Sequence, residues 1–538
     1  MYTIFETIDE HILKDIPLPE ELINKALDQT KDKDFTGLAQ LNLNAGDLEF
    51  NSKKFAKYIQ VAEKIGLKEI YFPQNGIAGY FLNDFVKKFP FFIEEQKKWL
   101  DGLAKLTKKT TAYIGYIEII NNKPTQKYAV LNNGKVQKIT ETVRHCVNQV
   151  GAIDSISYEG GTTVFNPDGS IMARAKEFEE QFLVINETEN IGKIYASSNI
   201  NPYDKFSLDY EWDLERTYKT LVQGIKDYFQ KCNLKKAVLG LSGGLDSTVC
   251  AVLLVDALGK ENVYGVSMPS KLTSKESKSD AEKLAQNLDI GFCECTIKPM
   301  VETTNLCLEN LFSETEKHWK CRYKKSFTQD NIQARSRAMY LWAIANEFES
   351  CIPIATSDKS ESYMGYATIN GDMSGGFAPI ADITKTKLFA LARWMNKNRE
   401  AKNSIPESII LKKPGAELAI DPNTGKTLNA EDALMPYEFM DEVIWRIENK
   451  NQSYQEILES PFLYETRYSI TKEQKKEWLD KFYKRMSTSV YKWSILPPST
   501  ITGKYSINKT IYQQPITSSK IDYIGKDEKA IDSILSHI

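Results

Sequence analysis

The sequence lacks a charge excess of either sign, a long hydrophobic run and a cluster of cysteines, and each absence excludes a class of protein. Lys and Arg (69) almost balance Asp and Glu (72), so the formal net charge is −3. A protein that neutralises nucleic-acid phosphates needs an excess of positive charge, and we therefore expect no nucleic acid among the partners. No run of about eighteen apolar residues occurs, so we expect no membrane-spanning helix.

The start of the chain and its cysteines point to the same compartment. Residues 1–23 carry several acids and no continuous apolar core, so they do not predict a signal peptide. The eight cysteines are scattered, and only Cys293 and Cys295 lie close together, without a second pair or a nearby His. This arrangement is poor for zinc and favours reduced thiols, and we expect a cytoplasmic protein. At 538 residues the chain is too long for one hydrophobic core, so more than one domain is expected.

Near the middle of the chain, a strand, a glycine-rich turn and a helix are predicted in direct succession. The apolar residues 237–241 predict the strand, residues 247–258 predict the helix, and residues 242–246 form the turn between them. Farther on, strands predicted at 263–269 and 292–297 alternate with helical patterns. This alternation predicts an α/β fold, a doubly wound parallel sheet that binds ligands at the carboxyl ends of its strands.

The residues of the turn are suited to phosphate and a metal ion. Gly243 and Gly244 let the backbone approach an anion closely, while Ser242 and Ser247 add hydroxyl donors near the start of the helix. Asp246 would repel phosphate unless a cation lay between them, so it indicates a divalent metal, and Mg²⁺ fits best. The turn is not a Walker A loop, because no Gly-Lys-Ser/Thr follows it.

This segment resembles the pyrophosphate loop of ATP pyrophosphatases, which adenylate a substrate and release pyrophosphate. The resemblance rests on Ser242-Gly-Gly-Leu-Asp-Ser247 after a strand. It implies an adenine nucleotide alpha hydrolase-like fold, with ATP as co-substrate. The residues expected to bind ATP are Gly240, Leu241, Ser242, Gly243, Gly244, Leu245, Asp246, Ser247 and Thr356.

A second group of polar residues follows a later strand. The strand predicted at 351–355 runs into Thr356, Lys359 and Glu361, so a hydroxyl, an ammonium and a carboxylate are expected at one edge of the sheet. Glu361 and Asp246 can each supply oxygen to a Mg²⁺ that bridges ATP phosphates. The sequence therefore predicts a metal site formed by these two carboxylates.

Asn331 and Arg335 lie four residues apart near the start of a predicted helix, a spacing that an exposed polar helix start also shows. Together with later motifs, however, this segment resembles the NAD synthetases of the long, glutamine-dependent type. Those motifs are Thr356 to Glu361, Gly365 to Phe377, Lys385, Leu391-Ala-Arg-Trp394, Ile405-Pro-Glu-Ser408, Lys412 to Leu418, Pro436-Tyr437 and Phe482-Tyr-Lys-Arg485. Three features depart from the family pattern: Ser357-Asp358 where Gly-Asn is usual, Gly415 where Ser is usual, and an apparent insertion from Asp421 to Thr427.

The resemblance implies a reaction and roles for individual residues. ATP would adenylate the nicotinate carboxylate of deamido-NAD, pyrophosphate would leave, and ammonia would displace AMP to give NAD. Catalytic roles would fall to Asp246, to Lys385 on a phosphate or the adenylate, and to Asp372 on the ammonium. The metal ligands would be Asp246 and Glu361. The residues implied for the dinucleotide substrate are Asn331, Arg335, Lys359, Glu361, Asp372 and Lys484.

The N-terminal part of the chain resembles the nitrilase-like amidohydrolases, which have an α/β sandwich fold. The residues that carry this resemblance are Ala39-Gln-Leu-Asn42, Gly46-Asp-Leu48, Phe72-Pro-Gln-Asn-Gly76, Gly79-Tyr80, Val147-Asn-Gln-Val-Gly151, Tyr158-Glu-Gly-Gly161 and Asn166-Pro-Asp-Gly169. That family uses a Glu as base, a Cys as nucleophile and a Lys that stabilises the oxyanion.

This sequence departs from the family at those catalytic positions. Gln74 stands where the Glu is expected, and an amide cannot act as the base. The family's long segment with the Lys and the Cys is reduced here to a few residues. We interpret Lys135 and Lys138 as solvated, and Cys146 matches no nucleophile position. We therefore expect a truncated domain without glutaminase activity, and ammonia supplied from solution or by a separate partner.

These interpretations predict four segments and leave two alternatives open. We expect an arm at 1–34, a truncated nitrilase-like domain at 35–195, an ATP-pyrophosphatase domain at 196–490 and a tail at 491–538, in a homo-oligomer packed through the truncated domain. One alternative is another pyrophosphate-loop amide ligase, such as a GMP or asparagine synthetase or an enzyme acting on nicotinate mononucleotide. The other is a non-catalytic nucleotide-binding scaffold.

Overall fold

The computed structural model divides the chain into two compact units, Met1–Asp209 and Tyr210–Ile538. The structure describes residues 35–80, 86–87, 91–121, 123–186, 191–192, 213–270, 273–319, 328–412, 415–420, 427–429, 431, 434–462, 470–503 and 506–507. The expected N-terminal arm, most of the C-terminal tail and all but the last residue of the apparent insertion lie outside these ranges.

The first unit is a mixed α/β unit. Its strands are β1 (Thr36–Gln40), β2 (Glu69–Tyr71), β3 (Thr111–Ile120), β4 (Lys123–Asn132), β5 (Lys135–Thr140), β6 (Val150–Ile153), β7 (Ile156–Glu159), β8 (Thr163–Phe165), β9 (Ile171–Arg174), β10 (Gln181–Asn186) and β11 (Ile191–Gly192). Its helices are α1 (Leu48–Ile65) and α2 (Phe91–Ala104). Seven strands form one sheet in the order β11-β10-β1-β2-β3-β4-β5, in which β1, β2 and β3 are parallel.

The β1–α1–β2 opening is a βαβ unit with parallel strands. Helix α1 begins after Asp47, whose side chain accepts a hydrogen bond from the backbone N–H of Phe50, and it ends at Gly66 in the left-handed conformation. Its apolar face, which includes Phe55 and Ile59, packs into the core of the sheet. Phe55 and Ile59 lie four residues apart and therefore share one face of the helix, which makes α1 amphipathic.

The second unit contains the predicted glycine-rich turn. Its strands are β12 (Lys236–Gly240), β13 (Val263–Ser267), β14 (Gly291–Glu294), β15 (Cys351–Pro353), β16 (Gly415–Ile420) and β17 (Thr427–Asn429). Its helices are α3 (Leu214–Lys231), α4 (Leu245–Leu258), α5 (Lys275–Leu288), α6 (Lys298–Trp319), α7 (Thr328–Glu347), α8 (Lys359–Tyr363), α9 (Lys385–Asn398), α10 (Glu407–Leu411), α11 (Tyr437–Lys450), α12 (Tyr454–Glu459) and α13 (Lys472–Trp493).

A parallel sheet with helices on both faces forms the core of this unit, as the sequence predicts. The strand order is β14-β13-β12-β15, and every neighbouring pair is parallel. Successive residues of β12 point to opposite faces: Ala237 and Leu239 pack into the core that contains α4, whereas Val238 packs with Leu341 of α7. The carboxyl ends of β12, β13 and β15 therefore meet along one edge between two helical layers.

The last helices form a separate apolar cluster beside this edge. Phe439 of α11 and Phe482 of α13 are fully buried in it. Trp493, at the end of α13, donates an indole hydrogen bond of 2.8 Å to the carbonyl of Ser362 in α8. This packing fixes the position of the short helix α8. Within the described part of the chain, none of the helices combines the length and the apolarity needed to cross a membrane.

Candidate active site

The turn between β12 and α4 brings two hydroxyls and a helix N-terminus together. Gly243 has φ of +74°, and a Cβ there would lie 2.2 Å from the carbonyl oxygen of Ser277, so glycine is required. The hydroxyls of Ser242 and Ser247 are 3.2 Å apart, and Ser242 also accepts from the N–H of Gly244. The geometry is that of an anion cradle at the start of a 14-residue helix.

Beside this turn, the ammonium of Lys385 lies among three carboxylates. Its Nζ is 2.5 Å from Asp246 Oδ1, 2.8 Å from Asp358 Oδ2 and 3.0 Å from Glu361 Oε1. The ring centroid of Tyr437 lies 5.3 Å from the same nitrogen. The side chains of Lys385 and Asp358 are 2% and 0% exposed, whereas those of Asp246 and Glu361 are 27% and 19% exposed. Asp246 and Glu361 thus face the solvent side of the cluster, and Asp358 lies behind them.

Short hydrogen bonds hold the elements that carry this cluster. Asp358 caps α8 by accepting from the backbone N–H of Glu361 at 2.8 Å. The hydroxyl of Ser360 accepts from the backbone N–H of Lys385 at 2.9 Å, so α8 and α9 begin side by side. Asp441 of α11 accepts from that hydroxyl and from a backbone N–H of α9. Three helices therefore fix the positions of the charged groups.

Burial and crowding of like charges shift two acids of the cluster, Asp358 and Glu361, toward their neutral forms. Burial raises the pKa of Glu361 to about 8, with further increases from Asp358 and Asp246, although Lys385 opposes the shift. Burial also raises the pKa of Asp358 above its ordinary value. Burial works against the charged form of Lys385, but the surrounding carboxylates outweigh it and raise the pKa of this lysine. The cluster thus has more acids than its single ammonium can balance, and burial disfavours the ionised forms of Asp358 and Glu361.

The donor set fits a divalent cation. Oxygens of Asp246, Asp358 and Glu361 lie within 4.8 Å of one another. Carboxylate oxygens are the ligands that Mg²⁺ prefers, and when all three carboxylates are ionised, the single ammonium leaves two negative charges without a counter-charge. The two more exposed carboxylates, Asp246 and Glu361, are the pair that the sequence predicts as metal ligands.

The cluster opens into a cleft of ≈ 290 Å³ along the carboxyl edge of the sheet. Apolar side chains such as Met268, Leu341 and Phe389 form part of its wall, and polar side chains form the rest. Of the residues predicted to bind ATP, all except Gly243 line the cleft, namely Gly240, Leu241, Ser242, Gly244, Leu245, Asp246, Ser247 and Thr356. The three residues with predicted catalytic roles, Asp246, Asp372 and Lys385, also line it.

The residues predicted to bind the dinucleotide are divided by the structure. Glu361 and Asp372 line the cleft, but Asn331 and Arg335 do not. The Asn331 side-chain oxygen accepts from the hydroxyl of Thr368 at 2.8 Å, and Arg335 Nε donates to a backbone carbonyl of the same loop at 3.1 Å. The two residues of α7 therefore hold the loop that carries Asp372.

The two predicted lysine contacts, Lys359 and Lys484, also lie away from the cleft lining. Lys359 is 3% exposed, and its Nζ lies 2.6 Å from Glu448 Oε2 and 3.2 Å from Asp382 Oδ1. The other oxygen of Glu448 accepts from the hydroxyl of Tyr363 at 2.8 Å. Lys359 thus ties α8 to α11 in the interior, whereas Lys484 is exposed on α13.

The polar residues of the site that were not predicted as site residues include Asp358, Arg337, Lys412 and Tyr437. Asp358 completes the acidic cluster, and its only signal in the sequence is its departure from the Asn of the family motif. Arg337, Lys412 and Tyr437 line the cleft. Arg337 shares a helix with the predicted Asn331, and Tyr437 lies in a matched motif, but neither signal points to this cleft. Their positions depend on how distant elements pack.

In the first unit, the residues considered for amidase chemistry lie in different settings. Gln74 follows β2 and is exposed, while Lys135 and Lys138 are exposed on the edge strand β5. Cys146 is exposed and lies one residue before Val147, which pairs with the backbone next to Gln74. Burial and the nearby Cys146 thiol raise the pKa of the Tyr128 hydroxyl to about 12. The described neighbours of Cys146 thus include the phenol of Tyr128.

The fold and the cleft together define a nucleotide-binding α/β domain with a strand–loop–helix anion cradle and an adjoining acidic cluster. The model of the NAD synthase family matches residues 217–485, which is half of the chain, and the chain belongs to this family.

Comparison with known proteins agrees with this assignment. The chain is 37% identical over 316 residues to a glutamine-dependent NAD(+) synthetase from Synechocystis sp.; the match covers 59% of this chain and 52% of that protein. It is 29% identical over 521 residues to the Thermotoga maritima protein of the same name, covering 76% of this chain and 87% of the relative. The first of these matches thus spans about half the length of the relative.

The overall fold also has a solved counterpart. The crystal structure of a glutamine-dependent NAD(+) synthetase from Cytophaga hutchinsonii aligns with a TM-score of 0.74 at 18% sequence identity, covering 91% of this chain and 98% of that one. At this level of identity the likeness establishes the fold alone. It extends over both units of the chain.

Proposed function

We propose that the chain is an AMP-forming C–N ligase that makes NAD from deamido-NAD, ATP and ammonia through an acyl adenylate. The observation that carries the proposal is the juxtaposition of the anion cradle, Lys385 and the carboxylate cluster at one edge of the sheet in a member of the NAD synthase family. Pyrophosphate is a large anion, and this edge concentrates N–H groups, hydroxyls and an ammonium around a cleft.

The residues of the cleft suit adenylation. The turn residues Ser242 and Ser247, with the N-terminal N–H groups of α4, hold the phosphates that will leave. A substrate carboxylate oxygen attacks the α-phosphorus of ATP, the bond to the β-phosphate oxygen breaks, and Lys385 binds the charge that develops on phosphate. A Mg²⁺ held by Asp246 and Glu361 would neutralise further charge on the departing pyrophosphate. Thr356, three residues after the end of β15, provides a further hydroxyl to ATP.

The second half-reaction requires the entry of ammonia and the loss of a proton. Ammonia attacks the acyl carbon, the bond to the AMP oxygen breaks, and a proton leaves the nitrogen. Asp372 lines the cleft, and its carboxylate accepts from the backbone N–H of Thr368 at 2.6 Å, which fixes its orientation. We assign to it the binding of ammonium and the acceptance of the proton that ammonium loses to become ammonia, while the proton lost after the attack passes to solvent. Asn331 and Arg335 act by holding the loop of Asp372.

We propose free ammonia as the nitrogen source, although the relatives named above are glutamine-dependent enzymes. Gln74 provides no carboxylate base, and the two candidate lysines are exposed on an edge strand. A separate amidotransferase is the other source that this arrangement allows. The truncation of the first unit, the homo-oligomer and the four-segment division remain predictions.

The decisive experiment is NAD formation by the purified full chain with ATP, Mg²⁺ and deamido-NAD, with ammonium chloride or glutamine as donor. We expect NAD and AMP with ammonium, and no NAD above background with glutamine. NAD with glutamine would overturn the nitrogen assignment. If ammonium yields no NAD but nicotinate mononucleotide is amidated, the substrate assignment is wrong and the ligase assignment stands. Nucleotide binding without any amidation would favour the scaffold alternative.

A further inference from the structure

The acidic cluster has an inner side and an outer side, and Lys385 lies between them. On the inner side, the fully buried Asp358 lies 2.8 Å from the ammonium. On the outer side, Asp246 and Glu361 are partly exposed and lie at 2.5 and 3.0 Å. The ammonium therefore shares both of its outer partners with any cation that enters from the cleft.

The charges of the cluster explain why two cations belong there. With all three carboxylates ionised, as they are when they bind a cation, the cluster and its one ammonium carry two net negative charges, and burying unbalanced charge is costly. A divalent cation brings the sum to zero while Lys385 remains. With an Asn in place of Asp358, the same cation would leave one positive charge in excess. Asp358 thus supplies the charge that allows the ammonium and a divalent cation to be present together.

We propose that Lys385 is an internal counter-ion whose ammonium occupies the cation position in the nucleotide-free protein. When Asp246 and Glu361 coordinate the metal instead, Asp358 holds the ammonium of Lys385 in the cluster. This inference rests on the cation site of the proposed function. Lys385 is then a competitor of the metal before nucleotide binds and a phosphate ligand afterwards. Asp358 is a positioning residue, because it acts through Lys385.

The competition can be measured without activity, by titrating the nucleotide-free protein with Mn²⁺ and following free Mn²⁺ by electron paramagnetic resonance. Lys385→Met should bind Mn²⁺ about tenfold or more tightly, because it removes both a positive charge and an occupant of the site. Lys278→Met is the matched control: Lys278 also lines the cleft, but it pairs with Glu294 at 3.5 Å, away from the cluster. We expect less than about a threefold change for this control.

A double variant separates occupancy from charge. Asp358→Asn with Lys385→Met has the same net charge in the cluster as the native protein, because one acid and one base are lost together. If Lys385 occupies the cation position, the double variant binds Mn²⁺ more tightly than the native protein does. Equal affinity of the two would mean that Lys385 acts by charge alone and would overturn the proposal. The double variant also lacks the uncompensated charge of Lys385→Met, so it is the safer variant if folding fails.

A separate experiment tests whether Asp358 holds the ammonium of Lys385. The variant Asp358→Asn is suited to it, because Asn preserves the helix cap and removes only the charge. In saturating Mn²⁺, Asp358→Asn should weaken ATP binding about fivefold or more, and the same change in a Lys385→Met background should have little effect. An equal loss of ATP affinity in both backgrounds would show that Asp358 does not act through Lys385 and would overturn this part of the proposal. Mn²⁺ binding that behaves as expected in a protein that forms no NAD would refute the proposed function and leave this inference standing.

Discussion

Among single side chains, Asp246 combines three features of the site: a position at a helix N-terminus, a contact with Lys385 and exposure to the cleft. It lies in the first turn of α4, where unpaired N–H groups favour negative charge, and it contacts Lys385. Its carboxylate also faces the cleft, unlike that of Asp358. A group with this position can be paired by a buried lysine and still reach a cation or a phosphate-bound metal. The charge of Asp246 therefore matters to function more than to folding.

We predict that Asp246→Asn lowers the rate of NAD formation about 100-fold or more, because it removes one of two exposed carboxylates that hold the metal. The measurement is the initial rate with ammonium, ATP, Mg²⁺ and deamido-NAD. Asp289→Asn is the matched control, since Asp289 is paired with Lys260 at the surface end of α5. A rate within about twofold of the native enzyme for Asp246→Asn would contradict the role given to this residue.

Lys387 provides a prediction about stability. Burial, together with Lys359, lowers the pKa of Lys387 to about 8, although Asp382 opposes the shift. The folded pKa is thus below the ordinary lysine value of 10.5, so folding is penalised wherever the lysine is charged. Stability should therefore rise between pH 8 and 10.5 as the folded protein loses this proton. Lys387→Met should raise the free energy of unfolding at pH 7 by about 1 to 3 kcal/mol.

Denaturant unfolding at several pH values measures this effect. The difference between the variant and the native protein should shrink as the pH increases from 8 to 10.5, because the native lysine is then neutral in the folded state. Lys397→Met, at an exposed position of the same helix α9, should change stability by less than about 0.5 kcal/mol. A stabilisation that does not depend on pH would exclude a charge effect.

Among the structural elements, the β12–α4 turn and the helix α8 do the positioning. The turn passes so close to α5 that its first glycine, Gly243, has no room for a side chain. Helix α8 is five residues long, and it places Asp358 and Glu361 on the side of Lys385 while Lys359 points to Glu448 and Asp382. Residues three apart share a helix face, whereas the next residue is rotated by about 100°.

We predict that Gly243→Ala destabilises the protein by about 1 to 3 kcal/mol and weakens ATP binding. Its φ of +74° is unfavourable for alanine, and the new Cβ would lie 2.2 Å from the carbonyl of Ser277. Gly244→Ala is the matched control for stability, since its Cβ would meet only the Ser242 hydroxyl at 3.1 Å and its φ is −97°. Thermal unfolding and nucleotide titration measure the two effects. Equal stability of both variants would show that the turn tolerates a side chain at Gly243.

For the whole molecule, the two units differ in which of the functional residues expected from their families they contain. The second unit brings the predicted ATP and metal residues to one cleft, with Gly243 packed beneath it. The first unit retains a seven-stranded mixed sheet and a packed core, with Gln74 at the position expected for a base. A unit can keep a stable core without a catalytic residue, because packing and catalysis depend on different side chains.

We predict that Cys146→Ala leaves the ammonium-dependent rate of NAD formation unchanged and that neither this variant nor the native chain uses glutamine. The reason is that a thiol needs a base to form the nucleophilic thiolate, and Gln74 supplies none. Radiolabelled or fluorescently detected glutamate release is the measurement, since it reports glutaminase activity even when NAD is not formed. Glutamate release that disappears in Cys146→Ala would identify this thiol as a nucleophile and contradict the prediction.

The sequence by itself determined the features that depend on neighbouring residues. The local pattern of residues 237–258 predicts a strand, a glycine-rich turn and a helix. The alternation of strands and helices that follows predicts the parallel sheet. Because the carboxyl ends of parallel strands meet at one edge of the sheet, the sequence alone predicts that Asp246 and Glu361 lie close together.

The tertiary structure decided what depends on packing between distant elements. The ammonium of Lys385 reaches Asp358 because α8 and α9 start side by side, and Lys359 is buried because α8 rotates it toward α11. Asn331 and Arg335 hold a loop instead of lining the cleft because that loop packs against α7. Motif spacing gives the order of such residues along the chain, but the direction of each side chain follows from contacts made more than twenty residues away.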